Sequence, residues 1–301
     1  MPATRDRTDR RIGSAAASVH ELAVYPLKGL TAQTVSSVAV HAGHGFPHDR
    51  EWALARPDGE YRCGSDKAVH KSNFFVLLKE DRLAGVTTYL DVDTQILEVR
   101  VRQHVVLVAD VTTSAGKRAV ERFFARMLDC PDEAGPILAR EPDRRFTDAA
   151  IFSDAFMNAV SVINLESIRD LSRRSEHDID HRRFRANIYI EGTPAFAEAA
   201  LVDKDFSIGA VRLRGLAAIP RCAATEVNPS TAARDLAVPK LLVEHYGHAN
   251  FGIWAEVTKG AVLRQDDPVM IASCDDNDLA SCSRGVPSTD LVSRPARKTV
   301  P

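Results

Sequence analysis

Along most of the chain, apolar residues recur at alternate positions in short runs, and turn-forming residues separate the runs, which is the pattern of a half-buried strand. Leu22, Val24 and Pro26 lead into Lys28, Val35, Val38 and Val40 follow, and residues 41–48 form a turn rich in Gly, His and Pro. Trp52 and Leu54 mark the next strand, closed by the turn signal Arg56-Pro57-Asp58-Gly59. Residues 87–90 and 96–101 predict a hairpin with Asp93-Thr94 at its centre, and 104–111 predict one more strand. The period then changes. Val120, Phe123, Phe124, Met127 and Leu128 fall on one helical face within 114–128, and Cys130-Pro131 stops that pattern. Residues 131–150 read as a loop rich in Asp, Pro and Arg. Asn164 is placed to cap a helix reaching Arg173, with Leu165, Ile168 and Leu171 facing inward. Strands are expected over 187–190, 206–216 and 217–227, then a short helix around 235–246 that Pro239 starts or breaks, then strands over 251–257 and 261–271. Many short strands with few helices make the fold mostly β, an α+β protein built on small barrels or sandwiches. Residues 1–18 and 275–301 are polar and are expected to be disordered tails.

Length and composition narrow the class. The chain has 301 residues, enough for one large domain or two small ones, with 45% hydrophobic and 27% charged residues. A net charge of -2 makes nucleic acid a poor first expectation. The five cysteines, Cys63, Cys130, Cys222, Cys274 and Cys282, are odd in number and contain no C-x-x-C, so neither a complete disulfide set nor a zinc ribbon is expected. A reducing cytoplasm is the simplest compartment. No apolar run approaches the length of a membrane span, and the first twenty residues lack the apolar core of a secretory signal.

Four places could carry chemistry. Arg221-Cys222 is expected near the start of a strand; a guanidinium beside a thiol favours the thiolate, the form that attacks or ligates metal, although a small buried Cys in a strand is the commoner case. In His181-Arg182-Arg183-Phe184-Arg185-Ala186-Asn187, three arginines and an amide precede an apolar strand and could grip phosphate or carboxylate, or could pair with Asp178 and Asp180. Tyr25-Pro26-Leu27-Lys28-Gly29 can bring an ammonium and free backbone N–H groups to an anion. In Asp49-Arg50-Glu51-Trp52, Arg50 could meet an anion or pair with its neighbours. His41, His44 and His48 imitate a metal cluster, but their Gly/Pro loop argues against a dedicated zinc site. No G-x-S-x-G elbow supports serine catalysis.

In order and spacing these pieces resemble the MOSC-domain proteins with an N-terminal β-barrel partner domain, the group containing the amidoxime-reducing components. The resemblance runs from about Val19 to Ser273 and rests on His20 to Lys28, on His48-Asp49-Arg50-Glu51-Trp52, and on Val162 to Ile168. It rests further on Phe184-Arg185-Ala186-Asn187, on Pro220-Arg221-Cys222 with Thr225, Val227 and Pro229, on Asn250 to Ile253, and on Gln265 to Val269. It implies an N-terminal β-barrel-like domain over 19–112 and a MOSC β-barrel domain with a few peripheral helices over 113–274. It implies a molybdenum cofactor, with Cys222 as the protein thiolate on the metal and as the catalytic residue. Lys28, Arg50, Ser167, Arg185, Asn187 and Arg221 would surround the pterin and its phosphate. The activity implied is reduction of N-hydroxylated or N-oxide small molecules, with electrons from a separate ferredoxin- or flavin-type protein. No iron–sulfur cluster or pyridoxal phosphate is expected in this chain. Two alternatives stay open: a sulfur or cofactor carrier using Cys222 as a persulfide-forming thiol, and a non-catalytic cofactor-binding module. The chain departs from the family at Gly29, where relatives often have Ser, at Ala186 in place of Pro, and at His48 and Asp266 in place of Gly.

Overall fold

A computed structural model describes residues 17–65, 67–131, 134–141 and 143–270. The expected tails, with Cys274 and Cys282, lie essentially outside the described residues. The chain opens with strands β1 (Ser18–Val24), β2 (Gln33–Val35), β3 (Ser37–Val40) and β4 (Trp52–Ala55). A three-stranded sheet follows, β5 (Thr87–Asp91), β6 (Ile96–Val101) and β7 (His104–Asp110), then helix α1 (Ser114–Met127) and strand β8 (Ile137–Arg140). Next come the single-turn α2 (Asp154–Met157), β9 (Val160–Asn164), α3 (Leu165–Ser175), β10 (Ile188–Glu191), β11 (Asp205–Ile208) and β12 (Val211–Pro220). Helix α4 (Val238–Tyr246) and strands β13 (Asn250–Lys259), β14 (Ala261–Arg264) and β15 (Val269–Met270) complete the described fold, which is mostly β with four α-helices.

The main sheet has eight strands in the order β15-β11-β12-β13-β9-β10-β1-β2. Only β9 and β10 run parallel, because α3 carries the chain between them; the other neighbours are antiparallel. The first two strands therefore finish a sheet begun by the C-terminal half, and β3 likewise pairs with β14. The core of this sheet gathers Leu22, Val162, Ile188, Ile190, Leu213, Ile253 and Ala255. A second core joins Trp52 and Leu54 of β4, Leu90, Leu97 and Val99 of the three-stranded sheet, and Val120 and Phe124 of α1. A third packs α3 and α4 on Ile163 and Phe251.

Local chemistry explains most boundaries. Helix α1 is capped by Thr113, whose hydroxyl accepts from the Gly116 N–H at 3.0 Å. Asn164 caps α3 as its sequence predicts, accepting from the Glu166 N–H at 3.0 Å. Pro239 sits in the first turn of α4, where its missing N–H costs nothing. Three expectations are corrected. Residues 137–140, read as loop, form β8 against β4, and α2 adds a helical turn just beyond that stretch. The division between the two strands after 205 falls at Gly209-Ala210, not at 216/217. Arg221-Cys222 follows the end of β12 rather than opening a strand: Cys222 begins the 3₁₀ turn Ala223–Glu226, held by the Thr225 hydroxyl donating to the Cys222 carbonyl at 2.9 Å.

Candidate functional site

One cavity of about 410 Å³ collects most of the sequence candidates: Lys28, Arg50, Arg185, Asn187, Arg221 and Cys222 all line it. Lys28 arrives from the turn after β1, where its N–H donates to the Trp52 carbonyl at 2.8 Å. Its ammonium, almost wholly buried, donates to the Phe146 carbonyl at 2.8 Å and to the Asp148 carboxylate. Burial pulls the Lys28 pKa down, and Asp148 opposes that. Arg50 stands at φ 53, a left-handed turn that swings it across Tyr25. It pairs with Asp49 and donates to the Arg185 carbonyl at 3.0 Å. The Tyr25 ring lies against two guanidiniums, Arg50 at 4.5 Å and Arg185 at 4.4 Å.

The basic run at 181–187 divides its labour. Arg182 pairs with its neighbour Asp180 on the surface. Arg183 is buried, bonded to the Glu226 carbonyl at 2.9 Å and to Asp235 at 2.6 Å, and its Nε has no partner. Arg185, at φ 55, turns into the cavity and donates to the Leu30 carbonyl at 2.7 Å. Asn187 is engaged with the protein itself: its Oδ1 accepts from the Ser161 N–H at 3.1 Å and hydroxyl at 2.9 Å, and its Nδ2 donates to the Ala23 carbonyl at 3.2 Å. It ties β9 to β10 and β1 beneath the cavity. Arg221 donates through Nε to the Phe251 carbonyl at 2.8 Å and through Nη1 to the Phe184 carbonyl at 2.9 Å. Burial lowers its pKa to about 10, so the guanidinium keeps its proton at neutral pH.

Cys222 is a free, half-buried thiol. Its sulfur lies 3.4 Å from the Lys71 ammonium, which also donates to Asp148 at 3.0 Å. Asp148 thus bridges Lys28 and Lys71; burial works to raise its pKa, but the two ammoniums hold it well below the usual carboxylate range. Neither Lys71 nor Asp148 was a sequence candidate. Lys71 lies in a 3₁₀ turn, Lys71–Asn73, and Asp148 in another, Asp148–Ile151, with no local motif to mark either. Ser167 is corrected: it is fully buried behind the main sheet, outside the cavity lining, donating to Glu198 at 2.9 Å and accepting from the Phe196 N–H at 2.8 Å. Its place at the start of α3 points it at the helix's own packing.

The cavity wall therefore carries six Lys or Arg side chains, Lys28, Lys71, Arg50, Arg183, Arg185 and Arg221, around one thiol and one lining carboxylate. The hydrogen bonds of Arg185 and Arg221 go to backbone carbonyls, which leave their charge for an anion.

The family departures have structural reasons. His48 and Asp266 occupy left-handed backbone, φ 62 and φ 66, which glycine adopts freely. Ala186 retains an N–H that proline would lack, and that N–H donates to the Tyr189 hydroxyl at 3.0 Å. Gly29 sits at φ 82, where a Cβ would come 3.2 Å from Val76 Cα and 3.3 Å from the Phe75 carbonyl oxygen. Gly29→Ala is expected to cost about 1–2 kcal/mol from the left-handed backbone; a lower denaturation midpoint with unchanged slope in urea checks this.

Residues 16–140 match the family described as the MOSC N-terminal beta barrel domain, and residues 143–270 match the MOSC domain. Among curated proteins, mitochondrial amidoxime reducing component 2 of Bos taurus is 25% identical over 294 residues, spanning 84% of this chain and 82% of that protein. Mitochondrial amidoxime-reducing component 1 of Mus musculus is 23% identical over 308 residues, spanning 89% and 85%. Among solved structures, the YUAD protein from Bacillus subtilis is 10% identical, covers 85% of this chain and 94% of its own, and has a TM-score of 0.38, too slight a likeness to carry an argument.

Proposed function

This chain is a MOSC-domain protein with an N-terminal MOSC β-barrel domain, and from that membership we propose that it is a molybdenum-cofactor oxidoreductase that reduces N-hydroxylated or N-oxide small molecules. The observation that carries the reading is the single cavity in which Cys222 meets a ring of cations drawn from both matched domains. The residues fit such a group on their own chemistry. A thiolate is a soft ligand suited to a metal of this kind. Cations whose bonds go to carbonyls suit the phosphate of an anionic pterin. A sulfur carrier needs only a free thiol and gives this ring no task, whereas a cofactor carrier or a non-catalytic cofactor-binding module would use the ring and is separated from the reductase by turnover.

The bound cofactor supplies the two-electron redox chemistry. Within the chain, Cys222 presents its sulfur at the cavity wall, 3.4 Å from the Lys71 ammonium. Lys28, Arg50, Arg185 and Arg221 line the cavity and would hold the anionic part, and Asn187 positions the strands beneath it. The reaction breaks the N–O bond of the substrate; two electrons and two protons enter, leaving water together with an N–H group from an N-hydroxylated substrate or the free amine from an N-oxide. The electrons come from a separate redox protein of the ferredoxin or flavin type.

The test is metal and pterin analysis of the protein purified from a cofactor-competent host, with an assay of benzamidoxime reduction by a chemical electron donor. About one molybdenum and one pterin per chain, with turnover, are expected. Protein free of both, or a persulfide on Cys222 without metal, overturns the reading.

A further inference from the structure

The cavity has a second wall of different chemistry. Ile151, Phe152, Phe156 and Trp254 line it beside Ala159. Phe152 and Ile151 stay 45% and 42% exposed, so they are not core residues. The three rings form a closed triangle of edge contacts: Phe152 to Phe156 at 5.6 Å, Phe156 to Trp254 at 5.6 Å, and Phe152 to Trp254 at 6.3 Å, with interplanar angles of 72°, 88° and 61°. No pair is stacked, so ring faces and edges remain for a further partner. Three elements build the triangle: the residue after the Asp148–Ile151 turn, α2, and β13, on which Trp254 is paired with Ser161 of β9. The turn that carries this wall begins at Asp148, which Lys28 and Lys71 anchor next to the sulfur of Cys222. A scattered exposed apolar residue needs no explanation, but contiguous ones inside a functional cavity do. The phosphate of a pterin is matched by the cationic wall, and this wall offers it no charge.

We propose that Ile151, Phe152, Phe156 and Trp254 form an aryl subsite that selects N-hydroxylated substrates carrying the N–O group next to a flat ring. The substrate role rests on the redox reading of the same cavity; ring recognition by the wall does not. A ring meeting two or three aromatic partners gains a preference of about ten-fold over a puckered ring of equal size.

Benzohydroxamic acid and cyclohexanecarbohydroxamic acid make a matched pair of probes, sharing carbon count and N–O group and differing in flatness. The chain contains two tryptophans, and Trp52 is 1% exposed, so emission that responds to a cavity ligand reports Trp254. Titrating the purified full chain, whether or not it holds cofactor, should give saturable change with half-saturation about ten-fold lower for the aryl acid. Trp254→Phe should remove the signal, and Phe152→Ala should weaken aryl binding about ten-fold while retaining the cofactor content of the wild type. In the molybdenum-loaded protein, kcat/KM should show the same preference. Equal half-saturation for the two acids, or unchanged aryl binding in Phe152→Ala, overturns the subsite. Aryl-selective binding without turnover by loaded protein leaves the ring subsite standing and overturns the redox reading. Turnover without ring preference does the reverse.

Discussion

Cys222→Ala is expected to reduce turnover of N-hydroxylated substrates by well over about a hundred-fold, beyond what loss of a supporting group around a metal ligand costs, while leaving the chain folded. The two halves of that expectation come from different features. The activity loss follows because Cys222 presents the thiol of the cavity, 3.4 Å from the Lys71 ammonium. The mild effect on stability follows because the side chain is half-buried at the end of β12 and belongs to no hydrophobic core cluster. The turn that holds it uses the Cys222 carbonyl and the Thr225 hydroxyl, neither of which the substitution removes. A denaturation midpoint within about 1 kcal/mol of wild type, measured beside the reductase assay, separates the two effects. Cys222→Ser keeps the shape with a hard oxygen and should fail as fully. Reductase activity equal to wild type in either variant would remove Cys222 from the mechanism.

The legible parts of the fold were those in which local chemistry and tertiary outcome agree. The β5–β6 hairpin follows from its alternating residues and the Asp93-Thr94 turn, α1 from the spacing of Val120 and Phe124, and α3 from its Asn164 cap. Strand β8 was hidden because four residues between proline and charge become a strand only by pairing with β4, far away in sequence. The site divides in the same way. Lys28, Arg50, Arg185, Arg221 and Cys222 belong to compact sequence motifs that pointed to them, and the fold brings them to one cavity. Lys71 and Asp148 enter it from short 3₁₀ turns with no such signal, and their roles depend on one another and on Lys28. Ser167 shows the converse: a motif can place a residue correctly on a helix N-terminus and still not say which side of the sheet it faces.

On the side it faces, Ser167 meets the buried carboxyl of Glu198. Glu198 is 0% exposed, and its carboxyl accepts from the Ser167 hydroxyl at 2.9 and 3.0 Å and from the Asn164 N–H at 3.3 Å. Burial raises its pKa to about 7, with those hydrogen bonds opposing the rise. In the unfolded chain the same group titrates near the ordinary glutamate value of 4.5. Between those two values the folded protein holds a proton that the unfolded chain has released, so the folded state binds more protons and stability falls as pH rises. Full stabilisation is present below the unfolded pKa and is lost progressively until the folded pKa is passed, a total of about 3 kcal/mol. Glu198→Gln removes the titration and keeps an oxygen for the Asn164 N–H and an amide that can donate to the Ser167 hydroxyl. It should flatten the stability profile across this window and leave the variant more stable than wild type at pH 8. Denaturant titrations of both proteins at pH 5 and pH 8 check this, and parallel pH dependence in the two would show that Glu198 is not the group responsible.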